Sequence, residues 1–600
     1  MSAVPTFVPR ESPAPHREAA PRPEYPRPQF EREEWLNLNG WWDFEFDDGR
    51  RGTEERWAEG GRRFSRPILV PFCFESPLSG IGDTGFHPRM WYRRSFVIPE
   101  SWAGRRVLLN FGAVDYRAAV WVNGHRAGEH EGGNTPFRFD ITDLLEADGN
   151  ELTVQVEDPP QDRFIPRGKQ HWKETSESIF YKRTSGIWQT VWLEPVAESW
   201  LERVRIASTL DGSVTFDATI QNPDPELRFI ARVSYKGREV ATGIAPADES
   251  QAVAAAFVRD PKWWSPSAPE LYDVTFELRR GEEVIDRVQS YFGFRSVAVH
   301  DGRVQLNGAP LYLRMVLDQG YWPESNLTPP SDEAIQYDIR QAKEMGFNGV
   351  RKHQKVEDPR FLYWADRMGL LVSAEMANAY MFDAESVARV TREWIDVMAR
   401  DCNHPSIIIW VPLNESWGVP DVRDPRQQAH LRAMYMLTRS LDDSRLVIDN
   451  DGWEHTGCTD LFAVHDYSQT GEVFLQRFRD LNEGRIPSPC QGKPYLCPGN
   501  EYNGAPVFLS EFGGISYEHP DDATKVPENS WGYEGIEKTA EATLGRMRGL
   551  YEAIAKTPKV IGICYTQLTD VEQEINGLLT YDRRPKFRAE DIRAINALLR

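Results

Sequence analysis

Two short stretches hold the residues with chemistry in them. In the first, Ile407-Ile408-Ile409-Trp410-Val411 reads as a strand buried on both faces, as in a parallel sheet. It breaks at Pro412 and delivers Asn414 and Glu415 just past its end. In the second, Val507-Phe508-Leu509-Ser510 ends on Glu511, with Gly513-Gly514 close behind. A lone Glu at a strand end is ordinarily an ion-pair partner or a helix cap. Two placed alike, facing one cavity, are an acid and a nucleophile for cutting a glycosidic bond. Carboxyl groups about 5 Å apart give net retention at the anomeric carbon. The negative neighbour is expected to hold a proton on the acid near neutral pH. Asn414 is placed to hydrogen-bond a hydroxyl beside the reacting carbon, and the Gly pair to let backbone and sugar approach closely.

Such a pair needs a frame that aims both carboxylates at one point. From Leu311 the chain alternates strand and helix patterns, with strands expected over 311–316, 348–352, 370–374, 407–411, 446–449, 461–464, 507–510 and 560–564. Helical periodicity lies between them over 332–345, 359–368, 384–400 and 427–440. Eight strands with intervening helices predict a (β/α)8 TIM barrel, whose C-terminal rim is where chemistry sits. Glu415 then follows strand four and Glu511 strand seven. Upstream, short alternating strands and the turn Asn123-Gly124 predict a β-sandwich over 31–197, and a second, immunoglobulin-like sandwich over 198–297. The barrel takes 298–600. Residues 1–30, rich in Pro and Arg and including Pro13 and Pro15, read as an extended strap across other domains.

Bulk properties remove other classes. A net charge of −21 opposes a nucleic-acid partner, whose phosphates need a basic face. No apolar run of about 18 residues supports a membrane span, and the start of the chain lacks the basic-then-apolar pattern of a secretory signal. The six Cys are scattered with no CxxC, which fits free thiols in a reducing cytoplasm, although Cys490 and Cys497 could close a loop.

The ordered motifs resemble glycoside hydrolase family 2, the group of β-galactosidases, β-glucuronidases and β-mannosidases. They run from Trp35-Leu36-Asn37-Leu38-Asn39-Gly40-Trp41-Trp42 through Trp121-Val122-Asn123-Gly124, Gly186-Ile187-Trp188-Gln189-Thr190 and Tyr291-Phe292-Gly293-Phe294-Arg295 to the two Glu stretches. The resemblance implies a jelly-roll sandwich, an immunoglobulin-like domain and a catalytic barrel, with Glu415 as acid/base and Glu511 as nucleophile. It also implies a substrate shell. Arg351 and Tyr467 belong beside the nucleophile, and His353, Gln354, Asp318, Gln319, His465 and Asp466 are rim candidates. Trp531 could stack on a sugar from a long rim loop over 515–530, and Tyr565 takes the place where many members carry a Trp platform.

Departures from the family pattern narrow the expectation. Where the family's glucuronidases carry Asn-x-Lys to grip the uronate, this chain reads Glu574-Ile575-Asn576, which favours a neutral sugar. Glu375 is followed by Met376-Ala377-Asn378 rather than by the metal-binding residues of some galactosidases, so no metal and no cofactor are expected. The Asp that some members send from the sandwich is Phe180 here, with Trp172 and Glu177 as substitutes. The expectation is a retaining exo-β-glycosidase of the β-galactosidase kind. A galactofuranosidase or arabinofuranosidase, a non-catalytic carbohydrate-binding protein and a hydrolase holding a cation between Glu375, Glu415 and Glu511 are the alternatives. The exposed sandwich surface allows a homodimer.

Overall fold

The structure is a computed structural model that describes residues 20–60, 62–490, 492–520, 527, 529–533 and 535–599. Residues 1–19 of the expected strap, with Pro13 and Pro15, and most of 521–528 in the rim loop lie outside the described residues. The chain builds a jelly-roll sandwich, a smaller sandwich and an α/β barrel in that order. In the first, a six-stranded antiparallel sheet faces a four-stranded one, and Trp42, Phe44, Tyr92, Leu109, Phe111 and Val154 fill the space between. Its hairpin tip, Asn123-Gly124, has positive φ at both residues, which only such a pair adopts without strain. The second sandwich packs three strands on four around Phe216, Phe229, Phe276 and Phe292.

The barrel strands are Leu313–Asp318, Gly349–Lys352, Leu371–Glu375, Ile407–Val411, Leu446–Val447, Phe462–Asp466, Val507–Gly513 and Val560–Thr566. They are parallel and hydrogen-bonded in the order five-four-three-two-one-eight-seven-six. Between strands five and six a loop closes the circle, with Asp460 N donating to Val447 O (2.9 Å) and Asp460 Oδ2 accepting from Val447 N (2.9 Å). Side chains alternate along each strand. Met315, Leu317, Ile409, Val411, Ala463, Phe508 and Cys564 belong to one apolar cluster, while Val316, Val350, Trp410, Val464, Leu509, Ile563 and Tyr565 pack with residues of the helices. Two differences from the expected elements matter. Strand seven continues to Gly513, so Glu511 sits within it; and the fifth strand, expected over 446–449, ends at Val447 and is followed by a loop over 448–461.

The smaller sandwich fixes the bottom of the strand that leads to Glu415. Arg295 donates to Ile407 O (3.0 Å), Pro405 O (3.2 Å) and Ser444 O (2.9 Å). Asp366 accepts from Tyr291 Oη (2.8 Å) and Ser406 N (2.8 Å), and Trp264 is fully buried against the barrel base. The segment from residue 20 ties the three units together. Arg22 pairs with Asp358 (3.1 Å), Arg27 with Glu194 (2.7 Å), and Arg32 with Asp286. The six Cys are free; Cys490 accepts from Arg477 (2.9 Å) and Cys497 lies against Glu454 O (2.8 Å).

Candidate active site

Glu415 is held in a strained turn. Both Glu415 (φ 52°) and Ser416 (φ 60°) are in the left-handed region, which a non-glycine residue enters only when its surroundings enforce it. The loop after the fifth strand supplies that enforcement. Glu415 N donates to Asp451 O (2.9 Å), Ser416 N to Asn450 Oδ1 (2.9 Å), and Asp451 N to Leu413 O (2.9 Å). The carboxylate is thereby aimed across the barrel mouth, where its side chain is 15% exposed.

Glu511 meets it there. Glu511 Oε1 accepts from Arg351 Nη1 (2.8 Å), and Oε2 from Tyr467 Oη (2.6 Å). Arg351, fully buried, also donates to Glu375 Oε2 (2.8 Å) and Asn414 Oδ1 (2.7 Å). Glu375 spends its other oxygen on Gln354 N (3.0 Å), so it serves as the post that fixes the guanidinium. Among the described residues Asn414 Nδ2 is buried with no partner, a donor on the side chain whose Oδ1 shares the Arg351 guanidinium with Glu511. An oxygen of Glu415, one of Glu511 and a ring nitrogen of His465 lie within 4.8 Å of one another. That is the spacing of two carboxylates flanking one bond.

His465 stands between them. Its Nδ1 is 2.9 Å from Glu415 Oε1, its Nε2 is 2.9 Å from Asp451 Oδ1, and Glu511 Oε1 is 3.4 Å away. Gly452 (φ 108°) makes room for the ring, since a Cβ there would come within 2.6 Å of it. Ionised carboxylates only accept, so two such contacts put hydrogens on both ring nitrogens, or else one carboxyl holds the proton. Either way one proton resides in the Glu415–His465–Asp451 relay. Burial alone would lower the pKa of His465, but Glu511, Asp451 and Glu415 overcome it and push it up to about 10. Burial would raise Glu415; its hydrogen bond to His465 and the imidazolium charge outweigh that and hold it well below the usual carboxylate range. Repulsion from Glu511, expected to keep a proton on Glu415, is met by the ring standing between the two acids, and both shifts favour the imidazolium of His465 as the proton's holder.

The other expected residues divide. His353 is buried, 3.4 Å from Glu375 and 3.9 Å from Glu511, and Gln354 (φ 47°) accepts from Tyr380 Oη (3.3 Å). Gln319 donates to Gln567 Oε1 (2.9 Å), Gln567 to Asn576 Oδ1 (2.8 Å), Asn576 to Glu574 Oε1 (3.1 Å), and Tyr181 of the jelly roll closes this chain on Glu574 Oε2. Asp318 is not free for a sugar: it accepts from Lys352 Nζ (2.6 Å) and Gly320 N (2.9 Å). Asp466, the neighbour of inward-facing His465, binds Arg477 (3.0 Å) and caps Ser468 N (2.9 Å). Trp531 donates to Ser178 O (2.9 Å) and packs edge-on against Tyr533, whose ring stacks on Tyr467 at 3.7 Å.

Two expectations fail on strand parity and space. Tyr565 is no platform: it lies among residues packed with the helices, while Thr566, one residue on, approaches Tyr467 Oη (3.2 Å). The glycines after Glu511 make room for rings rather than for a sugar. A Cβ at Gly513 would lie 2.4 Å from Tyr565, and one at Gly514 2.4 Å from Tyr533. Phe180 joins Trp172, Tyr380 and Trp417 in an aromatic wall (centroids 4.8 to 6.0 Å apart), and Trp417 Nε1 is 3.3 Å from Glu415 Oε2. Glu177 pairs with Lys173 (2.5 Å) and stays 59% exposed, away from the carboxylates.

Sequence reasoning missed Asp451 and Lys169. Asp451 was signalled only by the run Asp449-Asn450-Asp451 after a short strand. Lys169 lies in the segment 158–185 between sandwich strands, a connection long enough to mark function. The segment is clamped to the barrel by Arg167 N and Gly168 N on Asn378 O (3.1 Å each) and by Tyr380 Oη on Gly168 O.

A parallel β/α barrel with paired rim carboxylates, carried behind two sandwiches, is the architecture of a glycoside hydrolase. The comparisons are specific. Residues 36–194 match the sugar binding domain of glycosyl hydrolases family 2, residues 199–295 the family's central region, and residues 297–484 its TIM barrel domain. The chain belongs to glycoside hydrolase family 2 and is a glycoside hydrolase. Among relatives, it is 26% identical over 440 residues to a β-glucuronidase of Paenibacillus borealis, covering 68% of this chain and 72% of that one. It is 29% identical over 340 residues to a β-galactosidase of Thermoanaerobacter pseudethanolicus, covering 54% of this chain and 44% of the relative. Its fold superposes on Bifidobacterium dentium β-glucuronidase complexed with coumarin-3-O-glucuronide with a TM-score of 0.77 at 21% identity, over 94% of this chain and 97% of that one.

Proposed function

We propose that the protein is a retaining exo-β-glycosidase that removes terminal neutral sugars, with a β-galactosidase-like preference. The observation that carries this is the approach of Glu415 and Glu511 to within 4.8 Å in one enclosed pocket. Glu511, oriented by Arg351 and Tyr467, attacks the anomeric carbon as the bond to the aglycone breaks. The relay passes a proton from His465 Nδ1 to Glu415 and on to the departing oxygen. Glu415, now a carboxylate, takes a proton from the water that displaces Glu511, and that proton returns to His465. Asn414 Nδ2 donates to the hydroxyl next to the reacting carbon, a bond that tightens as positive charge develops there.

The pocket suits a terminal residue. Glu511 is only 6% exposed, Tyr533 covers Tyr467, and Lys493 sits over Trp453 (4.9 Å). The charge balance suits a neutral one, since five carboxylates, Glu375, Asp451, Glu415, Glu511 and Glu574, face the four cations Arg351, His465, Lys169 and Lys493. That surplus of acid opposes a uronate, although glucuronide is the sugar in the names of several similar proteins. A furanoside reading is favoured by one feature, the absence of a flat ring from strand eight, where Thr566 takes the inward place. No cation is needed, because Arg351 and His465 already neutralise Glu511 and Glu415.

A panel of nitrophenyl β-galactoside, β-glucoside, β-glucuronide, β-galactofuranoside and α-L-arabinofuranoside tests this, each with and without chelator. The β-galactoside is expected to be cleaved fastest, at a rate the chelator leaves unchanged. Turnover confined to the glucuronide, or lost on chelation, would contradict the proposal.

A further inference from the structure

Lys169 reaches the catalytic pocket from the jelly roll with its charge met by aromatic faces and by no acceptor. The residue is 5% exposed, yet among the described residues no acceptor lies within hydrogen-bonding or ion-pair distance of Nζ. The ammonium itself lies over the faces of Phe180 and Tyr181, whose ring centroids are 5.8 and 5.6 Å from Nζ. The charges that bear on it are the carboxylates of Glu574, Glu415, Glu511 and Glu375, all in the pocket. A largely buried lysine whose ammonium meets ring faces but no acceptor must have its place enforced and takes its acceptor from outside the chain.

The enforcement is visible. Gly168 has φ 56°, and a Cβ there would lie 2.2 Å from Gln354 O, so the backbone meets the barrel rim where only glycine fits. On the other side Lys169 O accepts from Tyr181 N (2.9 Å), and Gln170 is fixed by Asp115 (2.9 Å) and Thr184 N (2.7 Å). The loop is therefore a rigid arm, set by both domains, that presents one ammonium.

We propose that Lys169 is the jelly roll's substrate-reading residue: its Nζ donates to a ring hydroxyl of the terminal sugar held between Glu415 and Glu511. This rests on the glycosidase reading above. Tyr181, under Nζ, donates to Glu574, which leads through Asn576 and Gln567 to Gln319 at the ends of strands eight and one, and this places the contact on the terminal sugar. Glu574, already holding Tyr181 and Asn576, is the acceptor on the same side for a neighbouring hydroxyl.

The test compares wild type with Lys169→Met and Lys169→Gln, using the nitrophenyl glycoside best cleaved by wild type and its monodeoxy analogues. A charged donor to a hydroxyl is worth about 10- to 100-fold in kcat/KM. Lys169→Met is expected to lose that factor on the parent glycoside and to lose nothing further on one deoxy analogue, with Lys169→Gln intermediate. The melting temperature of Lys169→Met should stay close to that of wild type, since Met keeps the packing on Phe180 and Tyr181 and no hydrogen bond is lost. Equal losses on every analogue, no loss at all, or a lowered melting temperature in both variants would overturn the proposal. Failure of wild type to cleave any glycoside would instead remove the functional reading beneath it.

Discussion

Replacing Glu511 by Ala is expected to slow hydrolysis by about 10⁴- to 10⁶-fold, the scale of removing a covalent nucleophile. The fold should survive. Arg351, relieved of Glu511, keeps Glu375 (2.8 Å), Asn414 (2.7 Å) and Asp451 (3.5 Å), so no buried charge is orphaned. The pocket left behind admits a small anion next to the guanidinium, and azide should restore turnover with an inverted glycosyl azide as product. Unaltered turnover in Glu511→Ala, measured on an aryl glycoside, would remove Glu511 from the mechanism.

The second large effect belongs to His465, a positioning residue that acts through Glu415. With Asn in its place nothing bridges Glu415 and Asp451, and the relay loses its proton. Leaving groups that need protonation should suffer by about 10²- to 10³-fold in kcat, the ordinary contribution of general acid catalysis. A dinitrophenyl glycoside, whose aglycone departs unaided, should lose far less in the first step. Stability carries a separate sign. The ring titrates near 6.5 in an unfolded chain and near 10 in the fold, among Glu415, Asp451, Glu511 and Arg351. Its contribution is therefore complete below the lower value and fades as pH rises through the upper one. Melting temperature should fall between pH 7 and 10 in wild type, and less steeply in His465→Asn. Equal loss on both leaving groups, with an unchanged pH profile, would reduce His465 to packing.

Much of the site was legible because strand ends are. Ile407–Val411 is apolar on both faces and stops at Pro412, so the place of Glu415 followed from pattern alone. The immediate partners of Glu511 came through resemblance, with Arg351 on strand two and Tyr467 after strand six. What could not be read was parity and crossing. Whether Tyr565 or Thr566 faces inward depends on a one-residue register, and a strand apolar throughout carries no alternation to set it. The clamp on Glu415 comes from the loop after strand five, so Asp451 had no element to mark it. Lys169 comes from a different domain, and no local pattern in 158–185 says which barrel residues it will meet. Even the proton on His465 follows from three acids far apart in sequence converging on one ring.

The central claim is a covalent glycosyl bond to Glu511 with Glu415 across the gap. It is tested most directly by incubating the protein with the 2-deoxy-2-fluoro glycoside of the sugar it cleaves best, then mapping the adduct by peptide mass spectrometry. The account predicts one label per chain, on the peptide carrying Glu511, released when a glycosyl acceptor is added. A label on Glu415, on any other residue, or no inactivation with a substrate the enzyme turns over would contradict it.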